Sequence, residues 1–232
     1  MERPILRRLK HWLRPLRPWL GPIWHRLVAV WDRLGDRSSR ELTRIDLSGR
    51  PIRPIGRAEF DAMVDEFPYY SNRWGYMSAA LVQAGRLIRD RDLTSALELG
   101  APVRPIVVGA HVMDNTMRPV YDTSVPATTH DATVVPWPFA DKAFDLFIAL
   151  QVFEHLKDRQ PEAFLEVRRI ARHAILSLPI DWVMDDPRNC HHMIPEERVL
   201  SWFAPVVPTR VIENMTGRRK RLIYVFEDLP AP

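Results

Sequence analysis

From about residue 94 onward, short apolar runs alternate with amphipathic segments, and this alternation predicts the architecture. Four runs rich in Leu, Ile and Val have the length and composition of buried strands. They are SALELG (95–100), PIVVGAHVMD (105–114), FDLFIALQVF (144–153) and HAILSLP (173–179). Strands of this kind, separated by helices, are typical of a largely parallel sheet that is covered on both faces.

Helical spacing of apolar residues identifies the elements around these strands. The clearest amphipathic helix is RQPEAFLEVRRIAR (159–172), in which Phe164, Val167 and Ile170 are the apolar positions. Further helices are predicted at 57–67, 75–90 and 195–203. The last two apolar runs, at 209–215 and 218–228, are predicted to form a closing antiparallel pair.

The N-terminal region has a different pattern, in which prolines interrupt a sequence rich in tryptophan and arginine. Because proline removes a helical donor and clashes with the preceding turn, two short helices are predicted, at 4–14 and 22–34. The second has one apolar face, formed by Ile23, Trp24, Leu27, Val30, Trp31 and Leu34. Polar residues at 37–57 predict a linker. We therefore divide the chain into a helical extension with its linker (1–57) and one α/β domain (58–232).

Charge is concentrated in the same extension. The chain of 232 residues has a net charge of +4, yet residues 1–40 carry ten Lys and Arg against three Asp and Glu, a net +7. An apolar Trp/Leu face with arginines opposite it fits docking on an anionic membrane surface or on a partner protein. Packing on the chain's own domain and disorder are the alternatives. Nucleic acid is not an expected partner, because no recognisable binding module accompanies the basic residues.

The remaining composition is that of an ordinary globular protein, with 46% apolar and 27% charged residues. The single cysteine, Cys190, excludes an internal disulfide framework and fits a reducing compartment. No apolar run approaches the roughly 20 residues of a membrane span, and no signal peptide is recognisable. We therefore expect a cytoplasmic protein whose membrane association, if it has one, is made by the extension.

The segment HDATVVPWPFADKAFDLFIALQVFEHL (130–156) resembles the class I S-adenosylmethionine-dependent methyltransferases, and among them the type 11 group. In that group a strand ends in an aspartate and a small residue, as at Asp131-Ala132. A turn like the one at 137–146 then leads into the central strand, which ends in a segment like 151–156. The resemblance implies a Rossmann-like fold with a mostly parallel sheet and an antiparallel C-terminal strand pair. It also implies S-adenosyl-L-methionine as the cofactor.

The same resemblance implies which residues bind the cofactor. Asp131 is expected to accept a hydrogen bond from the adenine amine, and the backbone of Ala132 to meet a ring nitrogen. Gln151 ends the central strand, where ligands of open α/β sheets bind. A turn or cap role is the alternative for Asp131.

The segment ALELG (96–100), with Glu98 and Gly100, matches the start of that family's first motif, roughly vLElGxGxG. The later glycines of the motif are not matched, because Ala101 and Pro102 follow instead. Asp114 ends the next predicted strand, where an acid binds the ribose hydroxyls. Asp114 lies only fourteen positions after Gly100, so we predict that a loop replaces the first crossover helix.

Two histidines are the candidate catalytic residues. His155 ends the central motif, and His192, with His191 as the alternative, lies in the loop before the helix at 195–203. A base is needed only when the acceptor must lose a proton. The alternative for His155 is a helix-start residue bonded to backbone. No metal site is predicted, because three adjacent residues, 190–192, do not readily converge on one ion.

The predicted function is therefore methyl transfer to an unidentified small-molecule or glycan acceptor, with a sugar or lipid-linked glycan as the hypothesis. The alternative is a non-catalytic methyltransferase-like interaction module with impaired cofactor binding, suggested by the incomplete glycine motif. A nicotinamide-dependent oxidoreductase is disfavoured, because the GxGxxG turn that it requires is missing.

Overall fold

A computed structural model of the protein describes residues 37–101, 104–116, 124–216 and 219–232. The helices in this part are α1 (Arg37–Leu42), α2 (Arg57–Glu66), α3 (Trp74–Asp90), α4 (Gln160–Ile170) and α5 (Glu196–Phe203). Two 3-10 turns, at Pro68–Tyr70 and Phe153–His155, accompany them. The predicted helices at 4–14 and 22–34 lie outside the described residues. No helix among the described residues is long and apolar enough to cross a membrane.

Nine strands are present in the same part of the chain. They are β1 (Arg53–Pro54), β2 (Ala96–Leu99), β3 (Val107–Val108), β4 (His111–Asp114), β5 (Ala127–Thr129), β6 (Phe144–Leu150), β7 (Ala171–Ile180), β8 (Arg210–Thr216) and β9 (Arg219–Phe226). Seven of them form one sheet in the order β5-β4-β2-β6-β7-β9-β8. The five strands from β5 to β7 are parallel, whereas β9 is antiparallel to both β7 and β8. The predicted mostly parallel sheet with an antiparallel C-terminal pair is confirmed.

The sheet separates two clusters of buried side chains. Alternate residues of β6 point to opposite faces, so that Phe147 joins the cluster with α4 and α5, and Ile148 joins the cluster with α2 and α3. Both residues are at most 1% exposed, which explains why the central strand reads as an unbroken apolar run.

The run at 105–114 was predicted as one strand, and the structure divides it into two. Val107–Val108 pairs antiparallel with β1, while His111–Asp114 joins the main sheet beside β2. Gly109 makes the division, because its φ is +82° and a Cβ there would lie 2.6 Å from the carbonyl oxygen of Pro51. The described residues 104–110 contain no helix, which agrees with the predicted loss of the first crossover helix.

Residues 37–57 make contacts that their polar composition did not predict. The indole nitrogen of Trp74 in α3 donates to the hydroxyl of Ser39 in α1 at 2.8 Å, and Ile52 and Ile55 are buried. This segment therefore packs against the helices that cover the sheet. The division at residue 57 stays a prediction.

Candidate functional site

The chain reverses its direction of progress through the sheet between β2 and β6. From β2 it runs outward to β4 and β5, and from β6 it runs to the opposite edge. Ligands of open α/β sheets bind at the carboxyl ends of the strands at such a reversal. Here those ends meet: Gly100 has a φ of +73°, and a Cβ on it would lie 2.7 Å from Cγ2 of Val152. Gly100 therefore lies in the crevice at the carboxyl ends of β2 and β6.

Gln151, the first residue after β6, has a φ of +60°, which is rare for a residue with a long side chain. Its backbone N–H donates to the carbonyl of Ser177 at 2.9 Å, and its side-chain amide donates to the hydroxyl of the same residue at 3.3 Å. Its side-chain oxygen accepts from Nε of Arg221 at 3.3 Å. Strained backbone of this kind clusters at functional sites. Gln151 therefore lies between the strand ends where the cofactor is predicted to bind and the strands β7 and β9.

The acidic residues at the ends of β4 and β5 are both involved in local turns. Asp114 is half-buried, and its Oδ1 accepts from the N–H of Thr116 at 3.0 Å. Asp131 is exposed, and its Oδ1 accepts from the N–H and the hydroxyl of Thr133. These hydrogen bonds keep the pKa of Asp131 below its ordinary value. The turn role that was the alternative for Asp131 is present, and its role toward adenine stays a prediction.

The Ala132 side chain is buried, and the carbonyl oxygen of Ala132 accepts from the indole nitrogen of Trp137 at 3.2 Å. This bond ties the end of β5 to the motif before β6. The predicted contact of the Ala132 backbone with the cofactor stays a prediction.

Glu98 is buried within β2 and supports the loop that replaces the crossover helix. Its Oε2 accepts from the N–H of Ile106 at 2.8 Å. Burial raises the pKa of Glu98 to about 8, although the backbone N–H groups of Ile106 and Val107 oppose this shift. The carboxyl group therefore holds this loop beside β2, and the cofactor role that was predicted for it remains a prediction.

Glu98→Gln is expected to change how stability depends on pH. Between the ordinary pKa of 4.5 and about 8, the folded protein holds a proton that the unfolded chain has released. Because the folded pKa is raised, the free energy of unfolding of the wild type falls as pH rises through this window. The variant lacks this fall. The free energy of unfolding of the variant, relative to that of the wild type, should therefore rise by roughly 3 kcal/mol from pH 5 to pH 8. Urea unfolding at several pH values measures it. Glu162→Gln, at an exposed site on α4, should follow the wild type, and parallel pH profiles for all three proteins would contradict the buried titration.

The motif before β6 is held to the sheet and to α4 by two side chains. Oδ2 of Asp145 accepts from the backbone and hydroxyl groups of Thr94 and Ser95, at 2.9 to 3.1 Å. Arg169 in α4 donates to both carboxylate oxygens of Glu166 and to the carbonyls of Trp137 and Phe139. Asp145 at the start of β6 and Arg169 in α4 therefore shape the turn that leads into the central strand.

Arg221 was not predicted to belong to the site, and its surroundings resemble a binding position. It is 8% exposed, and its guanidinium lies 4.5 Å from the ring centres of both Tyr76 and Trp182. Its Nη1 has no hydrogen-bond partner among the described residues. Arg219 also lies over Trp182, at 4.9 Å. Arg219 and Arg221 occupy alternate positions of β9, so their side chains lie on the same face of the sheet. This alternation is hard to recognise in the sequence because all four residues of the segment RRKR are basic.

A second group of side chains joins the end of β6 to the loop between β7 and α5. Nδ1 of His155 lies 3.1 Å from Sγ of Cys190, and Nδ1 of His191 lies 3.5 Å from the same sulfur. Nε2 of His191 lies 3.4 Å from Oε1 of Glu154, whose side chain is fully buried. Burial lowers the pKa of His155, so its imidazole is more readily neutral.

His192, the other predicted catalytic histidine, is directed elsewhere. Its Nδ1 lies 3.1 Å from the backbone nitrogen of Met184 and 3.2 Å from its carbonyl oxygen. The structure thus brings His191, and not His192, to His155. The contact of Cys190 with His155 was not predicted, because the two residues are 35 positions apart and the spacing of neighbouring residues gives no indication of it.

The sheet order, with its reversal between β2 and β6, is that of a Rossmann-like α/β domain. Residues 107–174 match the family model described as a methyltransferase domain. This match confirms the resemblance to the type 11 methyltransferases that the sequence showed. It also confirms the cofactor class that this resemblance implies, S-adenosylmethionine. It begins after Gly100, so the incomplete glycine motif lies outside it. No curated protein matches the sequence.

Several solved structures are similar in fold at low sequence identity. The N-methyltransferase NodS of Bradyrhizobium japonicum WM9, in complex with S-adenosyl-L-homocysteine, has a TM-score of 0.46 and 16% identity, covering 83% of this chain and 99% of that one. A SAM-dependent methyltransferase from Aquifex aeolicus has a TM-score of 0.38 and 11% identity, covering 57% and 81%. The citrinin polyketide synthase CMeT domain has a TM-score of 0.45 and 12% identity, covering 67% and 52%.

Proposed function

We propose that the protein is an S-adenosylmethionine-dependent methyltransferase that binds its cofactor in the crevice between the ends of β2 and β6. The observation that carries this proposal is the close approach of the ends of β2 and β6, seen between Gly100 and Val152, where Gly100 and Gln151 both have positive φ. The missing side chain at Gly100 is what allows the ends of β2 and β6 to approach this closely. Asp114 lies at the end of the neighbouring strand β4, where a ribose would be bound.

The acceptor is proposed to lie on the other side of Gln151, against Arg221. The cofactor supplies an electrophilic methyl group when it is bound. The chain's contribution is to hold the acceptor in line with that methyl, because alignment alone accounts for much of the acceleration of such a displacement. His155, with its lowered pKa, is the base that would take a proton from an acceptor hydroxyl or amine.

We further propose that the acceptor is a sugar or lipid-linked glycan that carries an acidic group. A buried guanidinium with a donor that has no partner among the described residues suits a carboxylate or a phosphate. The extension at 1–36, with its Trp/Leu face and its arginines, suits docking on an anionic membrane surface or on a partner protein.

A second candidate function is a non-catalytic interaction module. The observation that favours it is the glycine motif, in which Ala101 follows Gly100 and which lies outside the matched family region. The two candidates differ in whether the folded protein binds the cofactor.

Two variants of Gln151 test the proposed crevice by calorimetric titration with S-adenosylmethionine. Gln151→Ala and Gln151→Gly both remove the side chain, and both are expected to weaken binding about tenfold, the loss of one or two hydrogen bonds. Only Gln151→Gly relieves the positive φ, so it should be more stable than Gln151→Ala by about 1 kcal/mol.

The control is Glu213→Gln on the edge strand β8, which should bind as the wild type does. Absence of binding at millimolar S-adenosylmethionine by the folded wild type would favour the interaction module. Unchanged affinity in both Gln151 variants would place the cofactor elsewhere.

A further inference from the structure

The side chains of His155, Cys190 and His191 converge at one point beside the crevice. One ligand atom from each lies within 4.8 Å of the other two. The sulfur lies 3.1 Å from Nδ1 of His155 and 3.5 Å from Nδ1 of His191. A tetrahedral zinc ion with these ligands separates sulfur from nitrogen by about 3.3 to 3.6 Å. Both sulfur–nitrogen distances therefore suit ligands of one shared ion.

Glu154 gives an independent indication of a cation at this point. It is 4% exposed as a residue and its side chain is fully buried. Neither of its carboxylate oxygens has a hydrogen-bond partner among the described residues, although a buried carboxylate is unfavourable without one. Its nearest polar neighbour in the group is Nε2 of His191, at 3.4 Å from Oε1. The carboxylate is thus aimed at the far side of a histidine whose other nitrogen faces the cysteine.

We propose that His155, Cys190 and His191 bind a zinc-class divalent ion, and that Glu154 positions His191 for it. A histidine that binds a metal through one ring nitrogen commonly donates its other N–H to a carboxylate, which fixes the ring and raises its basicity. Thiolate and imidazole ligands select zinc, cobalt or copper over magnesium and calcium. On binding, the Cys190 thiol releases its proton to solvent, and the thiolate and the Glu154 carboxylate together balance the charge of the ion.

The neighbours of His191 allow this binding mode. Oδ1 of Asn189 lies 2.8 Å from Nδ1 of His191 and also accepts from the His191 backbone N–H at 2.9 Å, so the asparagine keeps a partner when the ion takes the ring nitrogen. The ring of His191 stacks on Trp182 with an interplanar angle of 18°. Trp182 is itself held by a bond from its indole nitrogen to the Lys220 carbonyl at 2.6 Å. The histidine is therefore supported by the indole on one face of its ring.

Three protein ligands leave one tetrahedral position free, as in zinc sites that bind a substrate atom. His155 and Cys190 are exposed, so this position is reachable from solvent. If the proposed methyl transfer is correct, an acceptor oxygen, nitrogen or sulfur fits this fourth position. The ion, rather than His155 as a base, would then promote loss of the acceptor's proton. The metal site itself rests only on the four side chains and stands without the transfer.

Titration of the full-length protein with Co²⁺ tests the site directly, after chelation of bound metal and removal of the chelator under a non-thiol reductant. We expect one equivalent to bind, with a thiolate-to-cobalt charge-transfer band and the strong visible bands of a tetrahedral ion. Cys190→Ser should abolish the charge-transfer band. Glu154→Gln should keep the band but weaken binding by about 10- to 100-fold, the usual effect of losing a partner of a ligating histidine. His192→Gln is the matched control and should bind as the wild type does.

The single cysteine provides a second readout that does not depend on spectra. Zn²⁺ should slow the alkylation of Cys190 by N-ethylmaleimide at least tenfold in the wild type and in His192→Gln, but not in His191→Gln. Circular dichroism confirms that each variant is folded. Co²⁺ binding that survives in Cys190→Ser, or alkylation that Zn²⁺ does not slow in the wild type, would overturn the proposal. Calorimetry with S-adenosylmethionine in the presence of a chelator tests the proposed methyltransferase separately.

Discussion

Gly100→Ala is expected to lower the free energy of unfolding by about 3 kcal/mol, whereas Gly49→Ala should lower it by only about 1 kcal/mol. The two glycines have nearly the same backbone conformation, with φ of +73° and +74°. Adding a Cβ therefore imposes a similar strain at both. At Gly49 the new atom meets nothing within 4 Å, but at Gly100 it lies 2.7 Å from Cγ2 of Val152. Urea unfolding of the two variants isolates the close contact between the ends of β2 and β6.

Val152 is β-branched and has few rotamers, so it cannot readily turn away from the added methyl group. The double variant Gly100→Ala, Val152→Ala should consequently be less destabilised than the sum of its single variants by about 1 kcal/mol or more. Equal effects of alanine at positions 49 and 100 would mean that the strand ends do not meet as closely as the structure has them. The crevice proposed for the cofactor would then be wider than described.

The sheet could be predicted from the sequence because its central strands are buried on both faces. Six of the seven residues of β6 and, counting Pro179, seven of the ten residues of β7 are apolar, and such runs indicate a parallel interior. The run at 105–114 is equally apolar but does not form one strand. What divides it is the approach of Gly109 to Pro51, a contact between segments 58 residues apart that no local pattern reports. The same limit explains why β1, which has only two residues, was not predicted.

The site was predictable where a residue's place follows from the end of a strand, as for Gly100 and Gln151. It was not predictable where two distant segments supply one group of side chains. Cys190 lies 35 residues from His155 in the sequence, and only the fold brings the two side chains together. The place of Arg221 in the site could not be predicted either, because the rings that surround it, Tyr76 and Trp182, lie in α3 and just after β7. Burial and partners of this kind depend on tertiary packing.

Arg169→Met is expected to lower the free energy of unfolding by about 3 kcal/mol, because one side chain holds together the whole motif that precedes β6. Two guanidinium nitrogens donate to Glu166, at 2.6 and 3.1 Å, and two donate to the carbonyls of Trp137 and Phe139, at 2.9 and 2.7 Å. Burial tends to raise the pKa of Glu166, but the hydrogen bonds from Arg169 and from the Trp137 N–H outweigh it, so this pKa lies below its ordinary value.

Removing the guanidinium would leave the Glu166 carboxylate largely buried with only the Trp137 amide as a partner, and this desolvated charge is the main source of the loss. Arg169→Lys keeps a positive charge but has no planar fork, so it should recover less than half of the stability that Arg169→Met loses. Arg159→Met, at the residue just before the same helix, is the matched control, because the side chains of Arg159 and Glu162 are exposed at 46% and 39% and their pair should contribute at most about 0.5 kcal/mol. Thermal or urea unfolding distinguishes the three variants. If Arg169→Met were no more destabilised than Arg159→Met, the motif would be held by its apolar contacts alone, and the turn into the central strand would not depend on α4 for its shape.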